Sequence, residues 1–114
     1  MWPTTFNFED IKTFKYDDLK EILPYVTPEQ HKLLNDYIIG DINFLLEECA
    51  DEARKHKVTK KCQYNYYCHY PWTIDKKEDK LFYTAAIMSY LIYKGFEIVG
   101  KIFDEKYFFL TIEW

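Results

Sequence analysis

Residues 90–114 read YLIYKGFEIVGKIFDEKYFFLTIEW, and this stretch decides the fold. Its first residues complete a helix that ends at Lys94, because a basic residue suits a helix C-terminus and Gly95 suits the left-handed residue after it. Residues 96–103 and 107–114 then predict two strands joined by a polar turn, which is a β-hairpin. Apolar side chains share one face of the second strand: Phe108, Leu110, Ile112 and Trp114.

Working outward toward the N-terminus, the next clear signal is the start of a helix. Thr27 is a good N-cap, Pro28 suits the first helical position, and Gln30 stands where a capping box needs it. A shorter helix is predicted before it, over residues 17–23, with Pro24 as its stop.

The helix that begins after Thr27 is predicted to extend to about His56. Its apolar residues recur every three or four positions and form one stripe: Leu34, Ile38, Ile42, Leu45, Cys49 and Ala53. We expect Gly40 and Asp41 to kink this helix or divide it in two, with Asp41 as a new N-cap.

Between the two long helices, residues 58–69 alternate in the manner of a strand. One face carries Val58, Cys62, Tyr64, Tyr66 and Cys68, and the other carries Thr59, Lys61, Gln63, Asn65, Tyr67 and His69. Pro71 ends the strand, and a helix follows from Lys76 or Lys77 to Lys94. The residues predicted for the inner face of that helix are Leu81, Ala85, Met88 and Ile92.

These elements define an α+β protein with the order α-α-β-α-β-β. We expect a three-stranded antiparallel sheet with helices packed on one face. A length of 114 residues fits a single domain over 1–114, with residues 1–26 as an N-terminal arm and short helix packed on it.

Composition and charge limit the class of function. The chain is 48% hydrophobic and 20% aromatic, so it is neither disordered nor low in complexity. Its basic residues are 14 Lys and a single Arg. This residue usage is typical of an AT-rich genome. Residues 1–53 carry a net charge of −8 and residues 54–114 a net charge of +4. The overall charge of −4 argues against a duplex-DNA binder, whereas the two unlike halves suggest self-association into a homo-oligomer.

The sequence also predicts a compartment. Its longest stretch without a charge runs over 81–93, which is short of the roughly 20 residues of a membrane span. No secretory signal is recognisable at residues 1–15, and three cysteines in a chain with a large apolar core are read as reduced thiols. We therefore expect a cytoplasmic protein without a membrane partner.

Metal and cysteine chemistry would use Cys49, His56, Cys62, Cys68 and His69. Their spacing matches no zinc knuckle, and six residues of strand place Cys62 and Cys68 about 20 Å apart. No glycine-rich turn accompanies the thiols to form an oxyanion hole. The sequence therefore favours a non-enzymatic protein with no metal and no cofactor, and a metal- or cysteine-dependent enzyme is the less favoured alternative.

The candidate binding surface is the segment from residue 54 to residue 72. It combines bases with aromatic side chains: Arg54, Lys55, Lys57, Lys60, Lys61, Tyr64, Tyr66, Tyr67, Tyr70 and Trp72. Cations beside aromatic rings suit a nucleotide, through its phosphates and its base, and the same residues suit a protein interface. A helix end followed by an aromatic core strand is the structural alternative.

The runs YLIYKGFEIV at 90–99 and LTIEW at 110–114 are similar to a recurring pattern in small accessory proteins of tailed bacteriophages. The resemblance covers residues 41–114 and carries no catalytic residues. It implies a virus-encoded, non-enzymatic protein in the host cytoplasm. Such a protein binds a host factor, neutralises a host defence or decorates the virion. The leading hypothesis is a binding protein that inhibits a host defence factor or sequesters a nucleotide signal. The alternative is a self-associating virion or assembly protein.

Overall fold

The computed structural model describes residues 16–56 and 62–114. Its elements, in chain order, are α1 (Tyr16–Ile22), α2 (Pro28–Leu33), a π-helical turn (Leu34–Ile38), α3 (Ile39–His56), β1 (Gln63–His69), α4 (Lys77–Lys94), β2 (Glu97–Phe103) and β3 (Tyr107–Glu113). The strands form one antiparallel sheet in the order β1-β3-β2. The predicted α+β class and the predicted order of elements are confirmed. The arm predicted before residue 16 lies outside the described residues.

The predicted start of the long helix is confirmed in detail. The Thr27 hydroxyl accepts a hydrogen bond from the backbone N–H of Gln30 at 3.1 Å. The Gln30 side-chain oxygen in turn accepts one from the backbone N–H of Thr27 at 3.0 Å, which completes the capping box. All six residues of the predicted apolar stripe are buried in the core.

The predicted break at Gly40 and Asp41 is wrong. The chain passes from the π-helical turn into α3 with helical dihedral angles at Ile39, so Asp41 lies within a continuous helix and caps nothing. The irregularity occurs earlier, at Leu34–Ile38, where the wider turn keeps Leu34 and Ile38 both buried. The Asp41 carboxylate instead accepts hydrogen bonds from the Tyr83 hydroxyl and, at 3.8 Å, from the Cys68 thiol.

The end of α4 is as predicted, but its inner face is not. Gly95 has a φ of 103° and caps the helix after Lys94. Of the four predicted inner-face residues, Leu81 and Ile92 are 59% and 60% exposed and Ala85 is exposed, whereas Met88 is half-buried against the core. The side chains that α4 buries are Tyr83, Thr84, Ala86, Ile87, Tyr90 and Leu91. Both stripes of α4 are apolar, so helical periodicity alone could not select the one that faces the core.

The hairpin and β1 place one apolar face of the sheet against the helices. Phe108, Leu110, Ile112 and Trp114 are all buried, as predicted. In β1 the even-numbered residues are the more buried ones and the odd-numbered residues are exposed, which confirms the predicted alternation over 63–69. Residues 58–61 of the predicted strand lie outside the described residues. In β2 the register shifts at Val99, which forms a β-bulge opposite β3.

Candidate functional site

Seven of the ten residues predicted as a binding surface are described by the structure, and these seven are divided between the end of α3, the two faces of β1 and the segment after β1. Arg54 and Lys55 lie in the last turn of α3, where they face Asp51 at 2.9 Å and Glu52 at 3.8 Å. Lys57, Lys60 and Lys61 lie outside the described residues. Arg54 and Lys55 thus form ion pairs with acidic side chains of their own helix, α3.

Two of the tyrosines belong to the core. Tyr66 is 4% exposed, and its ring lies 5.9 Å from that of Phe108 in an edge-on contact. Tyr64 shares this face of β1 and is half-buried. Burial raises the pKa of both phenols, so they stay neutral. Tyr64 and Tyr66 therefore lie where the structural alternative, an aromatic core strand, places them.

Tyr67 lies on the opposite, solvent-facing side of the sheet. Its ring is 4.8 Å from the ring of Tyr107 and 4.9 Å from that of His69. This small aromatic cluster is exposed, but it belongs to a different face from Tyr64 and Tyr66.

Tyr70 and Trp72 lie beyond the other end of β1. The seven residues of β1 separate Cys62 from Tyr70, and the eight steps between them correspond to about 26 Å at 3.3 Å per residue. A mononucleotide is much shorter than this distance, so a single nucleotide cannot contact both ends of β1 at once.

A groove opens beside Tyr70, between the N-terminal half of α4 and the tip of the hairpin. We call it the α4–hairpin groove. Its volume is about 850 Å³, and it is lined by Tyr70, Asp75, Lys77, Lys80, Leu81, Thr84, Phe103, Asp104 and Glu105. This volume is typical of a ligand site. A recess of about 420 Å³ adjoins it through Tyr70, Asp75, Lys80 and Glu105, and there Trp72 forms part of the wall.

Lys80 and Tyr70 form the ridge between the groove and the recess. The Lys80 ammonium donates a hydrogen bond to the Glu105 carbonyl at 2.6 Å and lies 5.7 Å from the centre of the Tyr70 ring. The Tyr70 ring is fixed by edge-on contact with Tyr83 at 5.8 Å and by Phe108 at 5.5 Å. Burial raises the pKa of the Tyr70 phenol, so this wall is neutral. The ridge therefore has a defined shape.

The floor of the groove is apolar and its rim carries both signs of charge. Leu81 and Phe103 contribute side chains that are more than half exposed. Around them, the groove and recess together hold three acids and three bases: Asp75, Asp104, Glu105, Lys77, Lys80 and Lys106. An apolar centre bordered by side chains of both charges is typical of a protein interface.

The sequence pointed to only part of this site. Tyr70 and Trp72 were among the predicted residues, whereas Lys80, Leu81, Phe103 and Glu105 were missed because they come from two later elements. Leu81 had been predicted for the inner face of α4. One feature of the sequence does indicate the groove: α4 has apolar residues on both of its faces. A helix that is apolar all round has more apolar surface than one core can cover, so part of that surface stays exposed.

The three cysteines form no disulfide with one another, and all are buried and poorly suited to catalysis. Burial raises the pKa of Cys49 and Cys62, and it raises the pKa of Cys68 from 9.0 to about 11. A thiol that stays protonated is a weak nucleophile and a weak metal ligand. Within residues 16–56 and 62–114, no three His, Cys, Asp or Glu residues lie close enough together to hold a metal ion. In the same residues, no helix has the length and apolarity needed to cross a bilayer.

Comparisons of the chain with protein-family models, with curated proteins and with solved structures found no match.

Proposed function

We propose that this chain is a small, non-enzymatic binding protein whose partner is another protein, held at the α4–hairpin groove. The observation that carries the proposal is the apolar surface exposed at the groove and at its adjoining recess. Leu81 and Phe103 are more than half exposed in the groove, and Trp72, which lines the recess, is 90% exposed. Exposed tryptophan and clustered apolar side chains are typical of interface hot spots.

The balance of charge favours a protein over a nucleotide. A phosphate-binding site needs an excess of positive charge, yet the rim has as many acids as bases. Lys80, the base nearest the aromatic wall, is already bonded to the Glu105 carbonyl. A protein surface can match both signs and place an apolar side chain between them.

What supports a host factor as the partner is the resemblance of residues 41–114 to phage accessory proteins. Under this proposal the chain acts by covering a surface of that factor. A host defence protein is the partner class that we propose first. Self-association as a virion or assembly protein is the alternative that the unlike charges of the two halves support.

A displayed random-peptide library selected on the purified chain tests the groove. We expect peptides with an apolar residue between charged residues of both signs. Fluorescence anisotropy then gives their affinity for the variants Trp72→Ala and Phe103→Ser. If these side chains are hot spots, each variant weakens binding by about thirty-fold.

Tyr25→Ala is the matched control, because Tyr25 is 95% exposed and lies outside the groove lining. It should leave the affinity unchanged. A selection that yields only peptides insensitive to Trp72→Ala and Phe103→Ser would overturn the proposal. A melting-temperature rise with mononucleotides or dinucleotides that Lys80→Ala abolishes would replace it with a nucleotide site.

A further inference from the structure

Among the described residues, no other strand uses the backbone hydrogen-bonding groups along the outer edge of β1. Cys62 and Trp114 exchange two backbone hydrogen bonds, at 2.9 and 3.1 Å, and the Tyr70 N–H donates to the Lys106 carbonyl at 3.0 Å. In an antiparallel pair such bonded positions alternate, so the even-numbered residues of β1 bond to β3. The backbone groups of the odd-numbered residues therefore point away from β3: Gln63, Asn65, Tyr67 and His69.

The two edges of the sheet differ in how they are protected. The β2 edge has a bulge at Val99 and charged side chains at Glu97 and Lys101, all of which hinder pairing with another strand. The β1 edge has no acid, lysine, arginine or proline, and its register with β3 is unbroken over Gln63–His69. Three of its seven residues are tyrosines, which favour strands. Only β1 is thus suited to accept a further strand.

Helix α3 extends over the open edge. Two helices side by side are about 20 Å wide, whereas three strands span only about 14 Å. The inner side chains Tyr66 and Cys68 are buried although β1 is an edge strand, while Lys101 and Phe103 on the inner face of β2 are exposed. The helices therefore cover β1 more fully than β2, and α3 lies next to the space outside the free edge of β1, since its Asp41 contacts Cys68.

The flank of α3 above this space is partly apolar and partly acidic. Glu48 lies close enough to β1 to help raise the pKa of Tyr64, after burial. No ion pair joins Glu48 to another described residue, and its side chain is half-buried. Phe44, one turn earlier on the same face of α3, is 54% exposed. A strand placed here would meet one ring and one carboxylate.

We propose that β1 accepts an extended segment of a partner protein as a fourth strand. The segment carries an apolar residue beneath Phe44 and a lysine or arginine beside Glu48. Its backbone bonds to the outward groups of Asn65 and Tyr67 and their neighbours, in the manner of β-augmentation. This surface is separate from the α4–hairpin groove, so either one can fail without the other.

Residue-resolved amide exchange tests the free edge first. The N–H groups of Asn65 and Tyr67 should exchange with solvent faster than those of Tyr64 and Tyr66, which bond to β3. Peptides from the displayed library that are insensitive to Trp72→Ala are then added. The proposal requires that some of them slow exchange at Asn65 and Tyr67.

Asn65→Pro removes an outward N–H and leaves the backbone bonds to β3 intact, while it also removes the side-chain bond that Asn65 accepts from the Thr111 hydroxyl at 3.1 Å. It should weaken these peptides by roughly ten-fold or more. Lys101→Pro removes an outward N–H from the β2 edge and is the matched control that leaves binding unchanged. Glu48→Lys, which does not touch the backbone, should weaken basic peptides by a similar factor and keeps the test valid if Asn65→Pro unfolds.

Two results would overturn the proposal. The first is a selection in which no peptide protects Asn65 and Tyr67. The second is a chain that dimerises on its own and becomes monomeric in Asn65→Pro, as followed by sedimentation, because the occupant would then be a second copy.

Discussion

Gly95→Ala is expected to destabilise the protein by forcing a side chain into the left-handed region. Gly95 has a φ of 103° and a ψ of 5°. Its N–H donates to the Ile92 carbonyl at 3.0 Å, and the N–H of Phe96 donates to the Leu91 carbonyl at 2.9 Å, so the turn is held at both positions. An L-residue in this conformation costs roughly 1–2 kcal/mol, and we expect the free energy of unfolding to fall by that amount.

Substitution of Gly40 by alanine should instead stabilise the protein. Gly40 lies within α3, and a Cβ built there comes within 4 Å of no atom that residues 16–56 and 62–114 contribute from outside its own helical turn. Alanine in a helix is favoured over glycine by about 0.5–1 kcal/mol, so Gly40→Ala should raise the free energy of unfolding by that amount. A kink that needed glycine at this position would instead make the substitution unfavourable.

Urea unfolding followed by far-ultraviolet circular dichroism compares the two variants with the parent chain. The midpoints should move in opposite directions with unchanged slopes, since neither substitution alters the surface exposed on unfolding. A neutral Gly95→Ala would refute the assigned cap of α4. A destabilised Gly40→Ala would refute the continuous helix.

Three further outcomes follow from the packing and the thiols. Tyr83→Phe removes the hydroxyl that donates to Asp41 and should cost about 1.5–3 kcal/mol in urea unfolding; a change near zero would mean that this bond contributes nothing. Ile87→Ala should cost about 2–4 kcal/mol, whereas Leu81→Gln should stay within about 0.5 kcal/mol, and equal costs would contradict the observed faces of α4. The folded pKa of Cys68 is raised from 9.0 to about 11, so its contribution to stability is complete below pH 9 and is lost as the pH rises toward 11. Between pH 9 and 11, the melting temperature of Cys68→Ala should fall less steeply with pH than that of the parent chain. Identical slopes would exclude ionisation of Cys68 as a cause of the lost stability.

Local signals were enough where one physical cause dominates. The capping box at Thr27, the glycine after Lys94 and the period-two pattern of β1 each depend on residues that are close in sequence. Each of these three features is present in the structure as predicted.

The inner face of α4 and the groove depend on tertiary packing instead. Leu81 and Ile87 are equally apolar, and only the positions of α3 and the sheet decide that Ile87 is buried. Likewise, Lys80 meets the Glu105 carbonyl because the hairpin folds back toward α4, which no local pattern encodes. The sequence predicts one surface over residues 54–72, but β1 turns alternate side chains to opposite faces and holds its two ends far apart.

The central place of β3 has a consequence for synthesis. Both β1 and β2 pair with β3 and not with each other, although β3 comes last of the three along the chain. A nascent chain that has not yet reached Tyr107 therefore carries two strands with no template between them. Forming β1 against β3 also requires closing a loop that includes α4 and β2, which slows folding relative to local contacts. In the ribosome-bound intermediate, the tyrosine-rich β1 therefore stays exposed beside the helices. This exposed strand is a surface that a chaperone would bind.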